Sequence, residues 1–507
     1  MRNKMRTVVP YDVPDILHLV TISAFIYLLK VAESILTTTI SAGLIGSLAL
    51  GIIAGPEVLD LLPEYVQRTF IILGYIGLLL IVFEAGLSTD ITLLYNHVLI
   101  SNVTAFSGVA LPIIFSIALL TYGFGYTLLQ SFAAGAALCS TSLGTTLALL
   151  RPEFRQTKPG AVLLSAALLD DIIGLIFAAI IPNLPHGANS HGTVRWSTVA
   201  RPILVSFAFG LATPIAAIFT QRVVLAIPFA WRKRLCTGNV QSFLIVATLA
   251  AFVAGAQYAG TSELFGAYLA GAFLDHAFPT RAGISPHEPT VVAPPNLEED
   301  LHTPSSAFAE YFLPLLQHFF APVFFASIGV ALPVRSMFFV DGSRRVIWRG
   351  IVYSILMIIG KAAVGLWLLV WPDSDTGFGW CGVKHHPVTS VSAEEVDEDV
   401  PSPSPRLRST TSTCSLSSCR SDGDKHIAIP RLSGAALLGV AMVARGEVAL
   451  IIAQLARPLL AGDPRATSEA FAVVIWAILV ATVVGAVGVG LLLKSWDRQS
   501  LGAPLEP

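Results

Sequence analysis

The sequence predicts an all-α membrane protein of about 13 transmembrane helices, counted with a window of about 19 residues. Three observations carry this. The 507 residues are 54% hydrophobic and the mean hydropathy is +0.72. Only 13% are charged, against about 25% in a soluble domain. The apolar residues are also gathered into runs of the length a bilayer demands, about 20 residues each.

In chain order the runs are Ile16–Ile35, which carries Lys30 and Glu33 at its far end, and Ala42–Ile53, short and closed by the turn signal Ala54-Gly55-Pro56-Glu57. Phe70–Leu87 follows with Glu84 inside it, then Val98–Leu120 and Leu128–Leu150. The last of these is interrupted by Ser140-Thr141-Ser142-Leu143-Gly144-Thr145-Thr146. Gly160–Ile181 holds Asp170 and Asp171. Val199–Thr220, Phe243–Tyr258 and the short Leu264–Leu274 come next, then a polar loop, Asp275–Glu310. Tyr311–Leu332 precedes Gly350–Trp371, which has Lys361 near its middle. Ala435–Leu455 contains Ala444-Arg445-Gly446-Glu447, and Phe471–Leu493 is the last run. The organisation is an N-terminal tail (1–15), a first membrane part (16–371), a hydrophilic loop (372–427), the last helices (428–494) and a C-terminal tail (495–507). The loop is rich in Ser, Pro, Asp and Glu, a composition that cannot bury a core, and is expected to be disordered.

Chemistry concentrates at the charges inside the runs. A carboxylate at mid-membrane costs roughly 2.5–3.5 kcal/mol on insertion scales, and intramembrane acids are functional by default. Asp170 and Asp171 are neighbours, and neighbours on a helix point about 100° apart. One can therefore face a fixed protein partner while the other faces a water-filled cavity. Adjacent carboxylates interact, so their two protonation steps belong to the pair. Lys361 sits about 11 residues, or about 16 Å, from either end of its run, beyond comfortable snorkelling reach, and is expected to pair with one of the aspartates. Breaking a buried pair is expensive, which couples ion binding at the acid to rearrangement around the lysine.

Each half of the chain also has one run with a Gly-containing polar break, Ser140–Thr146 in the first and Val443–Glu447 in the second. Paired interruptions of this kind point to a transporter's binding site, and the helix ends they expose carry roughly half-unit partial charges. Ser140, Thr141, Ser142 and Thr145 either line that site or bond back to their own helix. Arg445 and Glu447 flank Gly446, as a local pair or with Arg445 serving another buried acid such as Glu84. Glu84 can equally sit at the membrane interface, and Glu33 is expected there.

Other classes are disfavoured. No basic cluster suggests nucleic acid. The five cysteines, Cys139, Cys236, Cys381, Cys414 and Cys419, show no metal spacing and no disulfide framework. The histidines form no cluster. No leader with a small-residue cleavage site is expected before the first apolar run. An intramembrane aspartyl protease also uses two carboxylates, but on different helices that flank a peptide; here they are adjacent. Arg151, Arg155 and Lys158, with Arg222, Arg232, Lys233, Arg234, Lys494 and Arg498, place the C-terminus in the cytoplasm, while Arg344, Arg345, Arg349, Arg2, Lys4 and Arg6 vote the other way.

Taken together, Gly51-Ile52-Ile53-Ala54-Gly55-Pro56, Phe83-Glu84-Ala85-Gly86-Leu87, the Ser140–Thr146 break, Leu169-Asp170-Asp171-Ile172-Ile173-Gly174, Phe324-Phe325-Ala326-Ser327-Ile328-Gly329, the Lys361 run and Arg445-Gly446-Glu447-Val448-Ala449-Leu450 resemble the monovalent cation:proton antiporter superfamily. The likeness is to the paired-aspartate branch of the sodium/hydrogen exchangers. It implies inverted repeats with two crossed discontinuous helices, a core domain and a dimerising domain, and an elevator-like alternating access. It further implies exchange of a monovalent cation, Na+ first with K+ or Li+ as alternatives, for protons, with no cofactor and no enzymatic reaction. By position, Asp171 becomes the main cation and proton carboxylate, Asp170 the partner of Lys361, and the Thr141 region, with Ser142, a lining of the site; Arg445, Glu447 and Glu84 are candidates for support from the reading of the residues themselves. The partners implied are the ions, the bilayer and a second copy. A cation channel or a transport-inactive sensor of the same fold is the alternative. Glu84 departs from the apolar residue common in relatives, and the 372–427 loop has no counterpart in compact bacterial members.

Overall fold

The computed structural model describes residues 15–40, 43–89, 98–141, 157–184, 196–228, 234–278, 303–338, 345–371, 431–461 and 469–501. Ser142 and the rest of the first break, the 372–427 loop and both tails beyond these limits lie outside the described residues. Every regular element among the described residues is helical. Backbone groups in hydrocarbon must find partners within their own segment, and an apolar helix does that.

The helices are α1 (Ile16–Ile40), α2 (Gly43–Ala54), α3 (Glu64–Leu87), α4 (Val98–Ser116), α5 (Leu128–Ala137), α6 (Lys158–Ile180), α7 (Trp196–Ala226), α8 (Gly238–Ala259) and α9 (Glu263–Ala277). They continue with α10 (Pro304–Val330) and α11 (Arg345–Val370), both of which include turns of other helical type. α12 (Arg431–Ala441), α13 (Glu447–Leu455) and α14 (Glu469–Leu501) complete the series. Nine helices among the described residues are long and apolar enough to cross a membrane, and α2, α5 and α12 are shorter apolar ones. Each expected apolar run contains helix, though among the described residues Leu128–Leu150 is helical only from Leu128 to Ala137 and Ala435–Leu455 is interrupted at Met442–Gly446, and this does not establish a count of 13 crossings. The first helix runs to Ile40, five residues past its expected end at Ile35, so Lys30 and Glu33 lie inside it and pair at 3.0 Å.

Packing falls into two neighbourhoods. α1 packs on α2, α2 on α10, α3 on α9 and α10, and α8 on α9. α4 packs on α5, α6 and α11; α14 packs on α11 and α12; α13 packs on α5 and α6. α7 touches both, through α9 and α6. At the α3–α9 contact two glycines let the backbones meet: Gly86 lies against the Tyr268 carbonyl and Gly271 against the Phe83 carbonyl, leaving no room for a Cβ. Small residues allow such approach where burial of apolar surface offers no driving force.

Candidate ion-binding site

The site is built where two helices stop short. α5 starts with a capping box, Thr127 and Gln130 satisfying each other's backbone N–H. It ends after Ala137, where the Leu138 N–H bonds back to the Ala134 and Gly135 carbonyls. Cys139, Ser140 and Thr141 then run non-helically. In the other half α12 stops at Ala441, and Met442 to Gly446 pass without helical structure before α13 begins at Glu447. A carboxylate in the first turn of α13 is favourably placed against that helix's positive end. The two breaks touch: Arg445 Nη1 donates to the Ser140 carbonyl at 2.8 Å and, more weakly, to the Cys139 carbonyl at 3.5 Å.

α6 delivers both aspartates to this meeting point. Its N-cap is Thr157, whose hydroxyl accepts from the Gly160 N–H, with a proline in the first turn. Gly174, one turn beyond the pair, lets α6 lie against Val448 of α13 and against Ser140. Because neighbours diverge on a helix, the two acids take separate partners. Lys361 Nζ of α11 donates to Asp170 Oδ2 at 2.5 Å and to Thr141 Oγ1 at 3.0 Å. Thr141 Oγ1 in turn donates to the same Asp170 oxygen at 2.9 Å. Asp170 and Lys361 are fully buried, at 0% exposure. Gly108 of α4 closes the back of the pair: a Cβ there would stand 3.2 Å from Lys361 Nζ and 3.3 Å from Asp170 Oδ2.

Asp171 is placed differently. Ser140 Oγ donates to its Oδ1 at 2.7 Å, and the residue keeps 9% exposure. No described cation pairs with it. Glu447 lies within electrostatic reach of Asp171 and of Glu84 on α3. Both glutamates are half-buried. Tyr268 of α9 also lies within reach of Asp171, and its hydroxyl shares a 3.1 Å hydrogen bond with Thr89.

The structure therefore brings together Asp170, Asp171, Thr141, Lys361, Arg445 and Glu447, with Glu84 facing them from the other packing neighbourhood. Among the described residues Arg445 forms no ion pair with Glu447 or Glu84; it crosses to the carbonyls of the opposite break. Ser140 is the ligand of Asp171 that periodicity did not single out from its hydroxyl-bearing neighbours. Only its position, directly before Thr141 at the break, marks it.

Comparison with known proteins bears on the family and the fold. Residues 20–390 match the family described as sodium/hydrogen exchanger, transmembrane. The high-affinity Na+/H+ antiporter NhaS3 of Synechocystis is 27% identical over 321 residues, 61% of this chain and 62% of that protein. The probable Na+/H+ antiporter GerT of Bacillus cereus is 33% identical over 157 residues, 30% of this chain and 40% of that protein. The chain thus spans less than two thirds of the length of either relative. The structure of the sodium proton antiporter MjNhaP1 from Methanocaldococcus jannaschii superposes with a TM-score of 0.52 at 13% identity, covering 96% of this chain and all of that one, a likeness of fold. This is a multi-pass membrane protein, and with the family match extending over most of its length, the chain belongs to the transmembrane sodium/hydrogen exchanger family.

Proposed function

We propose that the protein is a secondary antiporter exchanging a monovalent cation for protons by alternating access, with Asp171 as the carboxylate that cation and proton occupy in turn. Na+ is the first candidate, with K+ or Li+ as alternatives. The observation that carries this reading is the divergence of two adjacent acids. Asp170 is locked to Lys361 and Thr141, while Asp171 has only a neutral hydroxyl donor and some exposure. A carboxylate with no cation beside it in a membrane is compensated by a proton or by an ion. Since one group cannot hold both, loading one expels the other.

The chain's own residues have distinct tasks in this reading. Ser140 holds one Asp171 oxygen and leaves the other for the cargo. Thr141 Oγ1, set between Lys361 and Asp170, keeps the structural pair in register beside the site. Ser142 is included as a lining residue by position. Glu447, with Glu84 behind it, adds negative potential that draws a cation toward Asp171. Alternating access moves the neighbourhood of α4–α6 and α11–α14 against that of α1–α3 and α8–α10, and a homodimer forms part of the proposal through the family resemblance.

The test is reconstitution with a pH-sensitive dye inside liposomes, an imposed pH gradient, and addition of NaCl, KCl or choline chloride, with Asp171→Asn alongside. Proton movement on adding Na+ or K+, absent with choline and in the variant, supports exchange and names the cation. Equal behaviour of wild type and variant would replace the reading with a channel or a transport-inactive sensor.

A further inference from the structure

Three polar atoms in the core of the site have no hydrogen-bond partner among the described residues: Asp170 Oδ1, Arg445 Nε and Arg445 Nη2. They are among the most deeply placed groups in the chain, Asp170 at 0% and Arg445 at 1% exposure. Buried polar groups are satisfied almost without exception, and charged ones most of all. Here the orphans are complementary, one anionic acceptor and two cationic donors. They belong to residues on either side of one short backbone stretch. Arg445 Nη1 holds the Ser140 carbonyl at 2.8 Å, and the next residue, Thr141, donates its hydroxyl to the other Asp170 oxygen at 2.9 Å. The two charges lie within electrostatic reach of each other.

The guanidinium cannot drift from this position. Its Nη1 edge is tied to the end of α5, and the Arg445 carbonyl accepts from Thr482 Oγ1 of α14 at 3.0 Å. Its free edge, Nε and Nη2, is what remains to be used. Arginine suits the role because its planar fork can serve two acceptors at once and stays charged when buried.

We propose that Arg445 is a second cationic partner of Asp170, taking hold of Oδ1 when Lys361 leaves Oδ2. The inference rests on the exchange reading for its purpose, though not for its test. An antiporter whose buried lysine stayed bonded to one acid could not rearrange. A lysine that simply left would strand a bare carboxylate in the core, the strongly destabilising half of a broken pair. A second cation, tied by one edge to the Ser140 carbonyl and within electrostatic reach of the acid, removes that obstacle. Arg445 is on this account a positioning residue; it need not touch the transported ion.

Thermal unfolding of the purified protein in detergent, compared at one scan rate, decides it without measuring transport. Arg445→Gln is made in the wild-type, Asp170→Asn and Lys361→Gln backgrounds, with Arg445→Lys as a milder companion. The expected result is that Arg445→Gln lowers the apparent Tm by several degrees in wild type, by less than half as much with Asp170→Asn, and by more with Lys361→Gln, where Asp170 depends on the arginine alone. An equal shift in all three backgrounds overturns the proposal and leaves Arg445 as a cap on the α5 carbonyls only. If Arg445→Gln yields no folded protein, the same comparison is read from Arg445→Lys, which keeps the charge and loses the fork. Failure of exchange in liposomes with coupling intact would overturn the antiporter reading and leave this partnership standing.

Discussion

At the level of single residues, the two aspartates differ in what surrounds them more than in what they are. Asp171→Asn is expected to fold normally and to abolish cation-driven proton movement, because the amide accepts no proton and carries no charge for the cation. A dye assay beside a thermal scan separates loss of function from loss of structure. Ser140→Ala removes one hydrogen bond to Asp171, about 0.5–1.5 kcal/mol, so the cation concentration for half-maximal exchange should shift roughly 2- to 10-fold in a NaCl or KCl titration. Lys361→Ala removes the ion-pair partner of Asp170 and leaves the buried acid to Arg445 alone, a loss of up to about 3–5 kcal/mol. Adding Asp170→Asn should restore most of the thermal stability, and no recovery would mean that the lysine contributes through packing instead of charge.

Among the helices, the close approach of α3 and α9 sets a strict limit on side-chain size. Gly86 and Gly271 have carbonyls of the opposite helix where a Cβ would go. Gly86→Leu forces the pair apart and should lower stability by about 1–3 kcal/mol or more, detectable as a lower apparent Tm and a lower yield of folded protein. The element scale is also where sequence reasoning succeeded and failed for clear reasons. Asp170, Asp171 and Lys361 were legible because charge inside an apolar run is conspicuous, and the breaks because Gly and hydroxyl residues gather there. Within a break the chain is not helical, so no period says which hydroxyl faces the acids. Thr141 and Ser142 were expected to line the site, yet Ser140 is the residue on Asp171, and Ser142 lies outside the described residues. The sequence offers Arg445 only Glu447 or a distant acid such as Glu84, because its acceptors, the Cys139 and Ser140 carbonyls, are backbone atoms more than 300 positions away in the chain.

At the scale of the whole molecule, the end of α11 packs on α12, with Gly365 against the Ala435 carbonyl, so the described chain stops at Trp371 and resumes at Arg431 within one helix pair. Loop length costs little when the ends are already near. Replacing residues 372–428 with a Gly/Ser linker of about 10 residues should therefore leave the apparent Tm and the exchange rate of the membrane part within about twofold of wild type; a collapse of either would show that the segment is part of the working machine. Glu84 links the two packing neighbourhoods, since it comes from α3 and acts on Glu447 of α13. Glu84→Gln should raise the half-maximal cation concentration by roughly threefold to tenfold through lost attraction, with the maximal rate kept.

The bridge from Arg445 to Ser140 has one more implication. It fastens the break of one half to the break of the other, so the oxygens around Asp171 keep their mutual spacing while the surrounding helices shift. A cage carried whole presents the same ligands to both compartments. On the exchange reading proposed above, its intrinsic dissociation constant for the cation is then equal from either side, which side-selective titration of oriented vesicles would show as matching half-saturation values on the two faces.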